Sequence, residues 1–361
     1  MKRTGFATLP LHWGKTPSWL FEEMRKLARE ISLTIIREFG VEEFLKRLSD
    51  PFWFQSFGCV LGFDWHSSGL TTVTLGALKE ALKPEEENLK LFIVGGKGKT
   101  SRKAPEEINL KGEKYNLYPS QVNNLVYASQ MSAKVDNTAV QDKFQIYHHN
   151  FIFTKGGLWV VIQQGMNPDI SMARRYHWIS DKVRSFVEEP HSGIISDFKG
   201  RILNLVAKDS EDVRRESTEL ITKANPASLV KDIKKLDELK MPRRHPIYKI
   251  DFRSRRLEKI IYQVHEKKPE NFEKLLGTKG VGPKTIRALA LVAELIYGKK
   301  ASWEDPARFS FAHGGKDGYP YPVRKDLMEQ SIEVLRKGIL KSHLQRSEKR
   351  KAEQRALAML E

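Results

Sequence analysis

Apolar residues recur at helical spacing in PSWLFEEMRKLAREISLTIIREFG (17–40), where Leu20, Met24, Leu27, Ile31 and Ile35 share a face and a glycine closes the segment. The pattern predicts a long helix, and VEEFLKRL continues in the same style. FQSFGCVLGFDWHSSGLTTVTLGALKEAL is broken by Gly and Ser. It predicts a helix only from about Thr72, with the polar knot Asp64, Trp65, His66, Ser67 and Ser68 in a loop. LKLFIVGG (89–96) reads as a short buried strand that runs into GKGKTSRKAPEEI, whose proline suits a helix start. NNLVYASQMSAKVDNTAVQ predicts a helix. The clearest β signal follows: two apolar-aromatic runs, DKFQIYHHNFIFT and LWVVIQQGM, joined by KGG as a hairpin. Alternation puts Phe144, Ile146 and His148 on one face and Gln145, Tyr147 and His149 on the other.

After ISMARRYHW the composition shifts toward helix and charge, and KKLDELKMPRRHP (234–246) reads as a domain boundary. From about 247 onward the pattern is helical, ending in a basic helix or partly disordered arm. The expected fold is therefore α+β. A mixed catalytic region with a small antiparallel sheet covers 1–235, and a helical DNA-binding region covers 236–361.

Charge sharpens this picture. The chain has 62 Lys+Arg against 45 Asp+Glu, a formal charge of +17, which points first to a polyanionic partner and above all to nucleic acid. No run approaches the length of a membrane span and the N-terminus lacks a signal-peptide core, so a soluble, cytoplasmic protein is expected, with no membrane partner. The single cysteine, Cys59, excludes an internal disulfide framework and a thiolate-cluster metal site. The many Glu and Lys resemble thermophile composition.

NFEKLLGTKGVGPKTIRALALVAELIYG looks like a helix-hairpin-helix, placed at 270–297. Gly280 and Gly282 let the backbone turn, Val281 tucks between the helices, and the free N–H groups up to Lys284 and Thr285 face a phosphate oxygen. The hairpin is similar to that of the DNA glycosylases related to endonuclease III, whose Schiff-base lysine stands where Lys284 stands here, with an aspartate about one helix later. Ser302 occupies that offset in this chain and Asp305 lies three residues beyond. The resemblance covers the motif and not the fold, so Lys284 is expected to anchor DNA rather than to react.

The chain as a whole resembles an archaeal and bacterial family of poorly characterised proteins. The resemblance rests on MKRTGFATLPLHWGKTP, FQSFGCVLGFDWHSSG, GGKGKTSRKAPEEI, the AKVDNTAVQD run with its hairpin, MARRYHW and FSFAHGGKDGYPYPV. It implies a helix-hairpin-helix DNA-binding protein acting in DNA repair.

Candidate chemistry clusters before and within the β-hairpin. Lys134, Asp136, Asp142 and His148 form an expected acid/base set for a metal-free, cofactor-free lyase. In it a lysine attacks C1′ of an abasic sugar and a neighbouring base removes the C2′ proton, with glycosylase activity as an extension. Lys134 is the leading nucleophile, with Lys97 and Lys99 as rivals; those two also suit DNA backbone contact, as do Arg174 and Arg175. A metal-dependent nuclease using Asp64, Asp136, Asp142 and His148 is the enzymatic alternative, and a non-enzymatic DNA-binding protein is the other. GGKGKTSRK lacks the spacing of a nucleotide-binding phosphate loop. Trp65 is placed to wedge into an unstacked base. AHGGKDGYP (312–320) reads as a turn with a Lys316–Asp317 pair.

Overall fold

A computed structural model describes residues 9–11, 16–64, 66–196, 199–236, 252, 254–307 and 325–358. Helices α1 (Ser18–Phe39), α2 (Val41–Ser49), α3 (Pro51–Leu61), α4 (Gly69–Leu82) and the single turn α5 (Glu86–Leu89) open the chain. Strand β1 (Leu91–Lys97) and helices α6 (Ala104–Lys114) and α7 (Pro119–Thr138) follow. Then come β2 (Val140–Gln141), β3 (Gln145–Thr154), β4 (Trp159–Asn167), β5 (Met172–Ile179), β6 (Gly193–Ile195) and β7 (Arg201–Asn204). The remainder is α8 (Glu211–Lys223), α9 (Pro226–Lys235), α10 (Arg255–Lys267), α11 (Phe272–Gly277), α12 (Pro283–Leu295), β8 (Ser302–Glu304), α13 (Lys325–Lys341) and α14 (Arg346–Leu357).

The strands form an antiparallel sheet in the order β1-β3-β4-β5-β6 and a second, smaller sheet, β2-β7-β8. The fold class is thus α+β with small antiparallel sheets. Helices cover both faces of the larger sheet, which is why its strands bury residues on both faces, apolar for the most part in β1, β3 and β4. Phe151, Phe153, Val161, Tyr176 and Trp178 belong to one core, shared with α6 to α12. Ile152, Val160, Ile162 and Ile179 belong to the other, shared with α1 to α4 and with α13 and α14. Each core draws on residues from both sides of position 235, and most of the expected linker lies outside the described residues.

Several segments differ from the sequence expectation. The stretch read as broken by Gly and Ser forms α3: Pro51 starts it and the Asp50 carboxylate accepts from Trp53 N–H at 2.7 Å. Gly58 is there for close packing, since a Cβ would lie 2.8 Å from Leu70 and Thr74. ARRYHW, to which the sequence pattern assigns no element, is β5, buried between β4 and β6. A strand, β8, interrupts the supposedly all-helical end. The basic tail takes the helical one of its two expected forms as α14, packed rather than free: Ala352 and Ala356 are buried and Arg355 donates to the Val60 carbonyl of α3. Trp65, the 312–320 turn and most of MKRTGFATLPLHWGKTP and FSFAHGGKDGYPYPV lie outside the described residues.

Candidate nucleic-acid interface and adjoining cleft

The turn between α11 and α12 is built from its glycines. Gly280 has φ +95°, in the left-handed region that a side chain disfavours. Val281 is buried between the helices. Gly282 is different: it is extended, at φ −140° and ψ −177°, and a Cβ there would meet nothing within 4 Å. Neither backbone conformation nor packing requires a glycine at that position. No side chain caps α12, and Pro283 at its start leaves the amides of Lys284 and Thr285 in the first turn, where helical N–H groups have no intrahelical acceptor. The Thr285 side chain is buried, so only its backbone can meet a ligand. Lys284 is half-buried, with Nζ donating to Ser254 Oγ at 3.2 Å.

Helix α7 carries this turn. Lys134 Nζ donates to the Val281 carbonyl. Gln141, just past the helix, donates to the Pro283 carbonyl at 3.0 Å and accepts from Arg287 at 3.1 Å. Burial lowers the pKa of Lys134. Positions 134 and 136 point to opposite sides of the helix, so the expected lysine–carboxylate set is not assembled.

Asp136 instead faces the sheet, fully buried. Its Oδ1 lies 2.5 Å from His191 Nε2, and its Oδ2 accepts from Trp178 Nε1 at 3.0 Å and from the Gln163 amide. The Gln163 carbonyl meets His149 Nδ1 at 2.7 Å, and His149 Nε2 meets Ser129 Oγ at 2.9 Å. These partners fix the protons: Gln163 accepts from His149 Nδ1–H, and Nε2 accepts from the serine hydroxyl. A neutral His149 fits the downward push of burial on its pKa.

The histidine of this network is therefore His149 and not His148. A β-bulge between Ile146 and His148 shifts the alternation by one residue, so His149 takes the face on which regular pairing puts His148. His148 enters the opposite core, where neither ring nitrogen has a partner among the described residues and burial holds its pKa at about 3.

Asp142 anchors a second buried group. Arg174 donates to Asp142 at 2.9 Å and to Asp305 at 2.7 Å, and the Tyr176 hydroxyl donates to Asp142 at 2.6 Å. Burial raises the Asp142 carboxyl to about 6 even beside Arg174, and the two carboxylates keep the guanidinium charged. Arg175 points to the other face of the sheet, donating to His177 at 2.9 Å, Thr71 at 3.2 Å and the Pro51 carbonyl. No carboxylate among the described residues pairs with it, and burial lowers its pKa to about 9. Both arginines, expected at the DNA backbone, are fully buried and tie the sheet to its flanking layers. Lys97 and Lys99 are exposed at the end of β1.

His191, which sequence reasoning passed over, lines a cleft of about 640 Å³ together with residues from β7, β8 and the loops around them. Its only sequence signal is the placement of a histidine between Pro190 and Ser192-Gly193 in a loop. The metal-nuclease set does not converge: Asp136 faces His191, Asp142 faces Arg174, His148 lies across the sheet and Asp64 is exposed in a loop. Among the described residues no group of three or more His, Cys, Asp or Glu has a metal-holding arrangement.

The family described as Protein of unknown function (DUF763) matches residues 5–323. The chain belongs to it. The turn, the buried Asp136–His191 pair and the Asp142–Arg174–Asp305 group all fall within the stretch matched to DUF763. No curated protein and no solved structure matches this DUF763 chain significantly. No helix among the described residues is long and apolar enough to cross a membrane.

Proposed function

We propose that this protein binds DNA through the turn at 278–285, used as a helix-hairpin-helix, and acts on abasic or damaged strands as a lysine-dependent lyase. Gly282 carries the DNA reading. A glycine that neither the fold nor its packing requires, at the uncapped N-terminus of α12, leaves room for a phosphate to approach the amides of Gly282, Lys284 and Thr285. The chain's +17 charge and the exposed Lys97 and Lys99 supply the electrostatic component.

Lys134 supports the lyase step. It lies against the same turn, and burial lowers its pKa, which raises the share of unprotonated amine that attack on C1′ needs. To react, Nζ must leave the Val281 carbonyl. That same hydrogen bond favours a second reading, in which Lys134 only clamps the turn and the protein binds DNA without altering it.

Borohydride trapping on an oligonucleotide with one abasic site separates the two. The lyase reading predicts a covalent adduct with the wild type and with Lys284→Ala, and none with Lys134→Ala. Absence of any adduct, alongside DNA binding, selects the clamp. An adduct lost only with Lys284→Ala moves the nucleophile into the turn.

A further inference from the structure

The cleft beside β7 and β8 has a chemistry that the DNA-backbone reading does not use. Its floor is His191, whose side chain is 7% exposed and whose Nε2 is taken by the buried Asp136. Asp136 accepts three hydrogen bonds, from His191, Trp178 and Gln163, so it is satisfied as a carboxylate and fixes the imidazole with its proton on Nε2. The Trp178 ring packs edge-on against the imidazole at 4.6 Å, which further limits its rotation. In the neutral imidazole Nδ1 is then an acceptor, and it makes no hydrogen bond to a described residue.

The rest of the described lining is also rich in acceptors. Glu189, Asp209, Glu304 and Asp305 contribute carboxylates against only Lys199 and Lys208. Asp305 is already paired with Arg174 behind it. On a chain of +17 this is a local reversal of sign, and it disfavours a phosphate. Ile194, Val206 and Pro306 offer apolar surface between these groups. The volume lies in the usual range of about 300–1,000 Å³ for small-molecule sites. A flat, uncharged ligand with several N–H donors meets these conditions.

We propose that this cleft binds a nucleobase bearing an exocyclic amine, with His191 Nδ1 accepting one of its N–H groups. The choice of a nucleobase among flat amine-bearing heterocycles rests on the DNA reading, under which a base turned out of its stack is the ligand at hand. Asp136 is a positioning residue: it sets which nitrogen of His191 faces the cleft.

The test is labelling of full-length protein with diethyl pyrocarbonate at pH 7, read residue by residue by mass spectrometry, with the exposed His343 as internal control. The probes are 2′-deoxycytidine, 2′-deoxyuridine and inorganic phosphate. Deoxycytidine at ten times its dissociation constant is expected to slow His191 labelling about tenfold and leave His343 unchanged. Phosphate is expected to do nothing, and deoxyuridine, which carries a carbonyl in place of the amine, to protect less. Protection by phosphate alone, or by no probe, overturns the site, and equal protection by both nucleosides overturns the selection for an amine. Asp136→Asn is expected to slow His191 labelling several-fold with no probe present, and an unchanged rate removes Asp136 from the positioning role. Fluorescence anisotropy with a duplex oligonucleotide runs in parallel. Protection without duplex binding removes the DNA reading and leaves the cleft site, whereas duplex binding without protection does the reverse.

Discussion

Gly280 sits at φ +95°, where any other L residue strains the backbone, while Gly282 sits in extended backbone with open space where a Cβ would be. The two are separated by Val281 alone and are glycine for different reasons, and stability measurements distinguish them. Gly280→Ala is expected to lower the unfolding free energy by about 1–2 kcal/mol, the usual cost of a left-handed non-glycine residue, as read by urea denaturation. An unchanged midpoint contradicts the strain assigned to that position. The same scale shows why residue type alone misassigned the arginines. Arg174 and Arg175 follow each other in a strand, so they enter opposite cores and each finds its own partners there, out of reach of a DNA backbone.

At the scale of elements, much of the architecture was legible. The 3.6-residue pattern of α1 and α7 and the glycine turn between β3 and β4 are local signals, and each appears where the pattern puts it. What stayed hidden depends on contacts between distant segments. Helix α3 carries a glycine because α4 packs closely on it, and β5 carries charged residues because Asp142, Asp305 and Thr71 receive them. The candidate site was half legible for the same reason. Asp136 and Asp142 stood out beside the hairpin, whereas exchanging His148 for His149 took a bulge, and His191 reaches Asp136 from 55 residues away in the chain.

Strand β3 carries a further consequence. Burial holds folded His148 at about 3 against an ordinary value of 6.5, with the neighbouring His149 and Lys97 adding to the shift, and it also lowers His149. The unfolded chain therefore takes up protons below pH 6.5 that the folded chain does not. Stability present at neutral pH is lost as pH falls from 6.5 toward 3, by about 2 kcal/mol for His148 alone at pH 5. Because neither His148 ring nitrogen has a described partner, His148→Leu is expected to keep stability at pH 7 and to flatten the loss at pH 5. Urea unfolding at the two pH values checks this, and an unchanged difference between them contradicts the assignment.

At the scale of the whole molecule, the proposed DNA binding assigns different contributions to the excess positive charge and to the turn. Exposed lysines act through counterion release, so replacing Lys97 and Lys99 together by alanine is expected to reduce the slope of log affinity against log salt by up to about 2, with little dependence on sequence. In the proposal the turn acts through close approach of backbone amides, which a methyl group at position 282 is expected to block. The measurement that bears most directly on the DNA reading is fluorescence anisotropy of a duplex oligonucleotide with wild-type protein and with Gly282→Ala, accompanied by urea unfolding of both. The expected result is at least about a tenfold weaker affinity for the variant, or roughly 1.4 kcal/mol, with unfolding free energy unchanged within about 0.5 kcal/mol. Equal affinity for wild type and Gly282→Ala, with both proteins folded, contradicts the claim that this turn holds DNA.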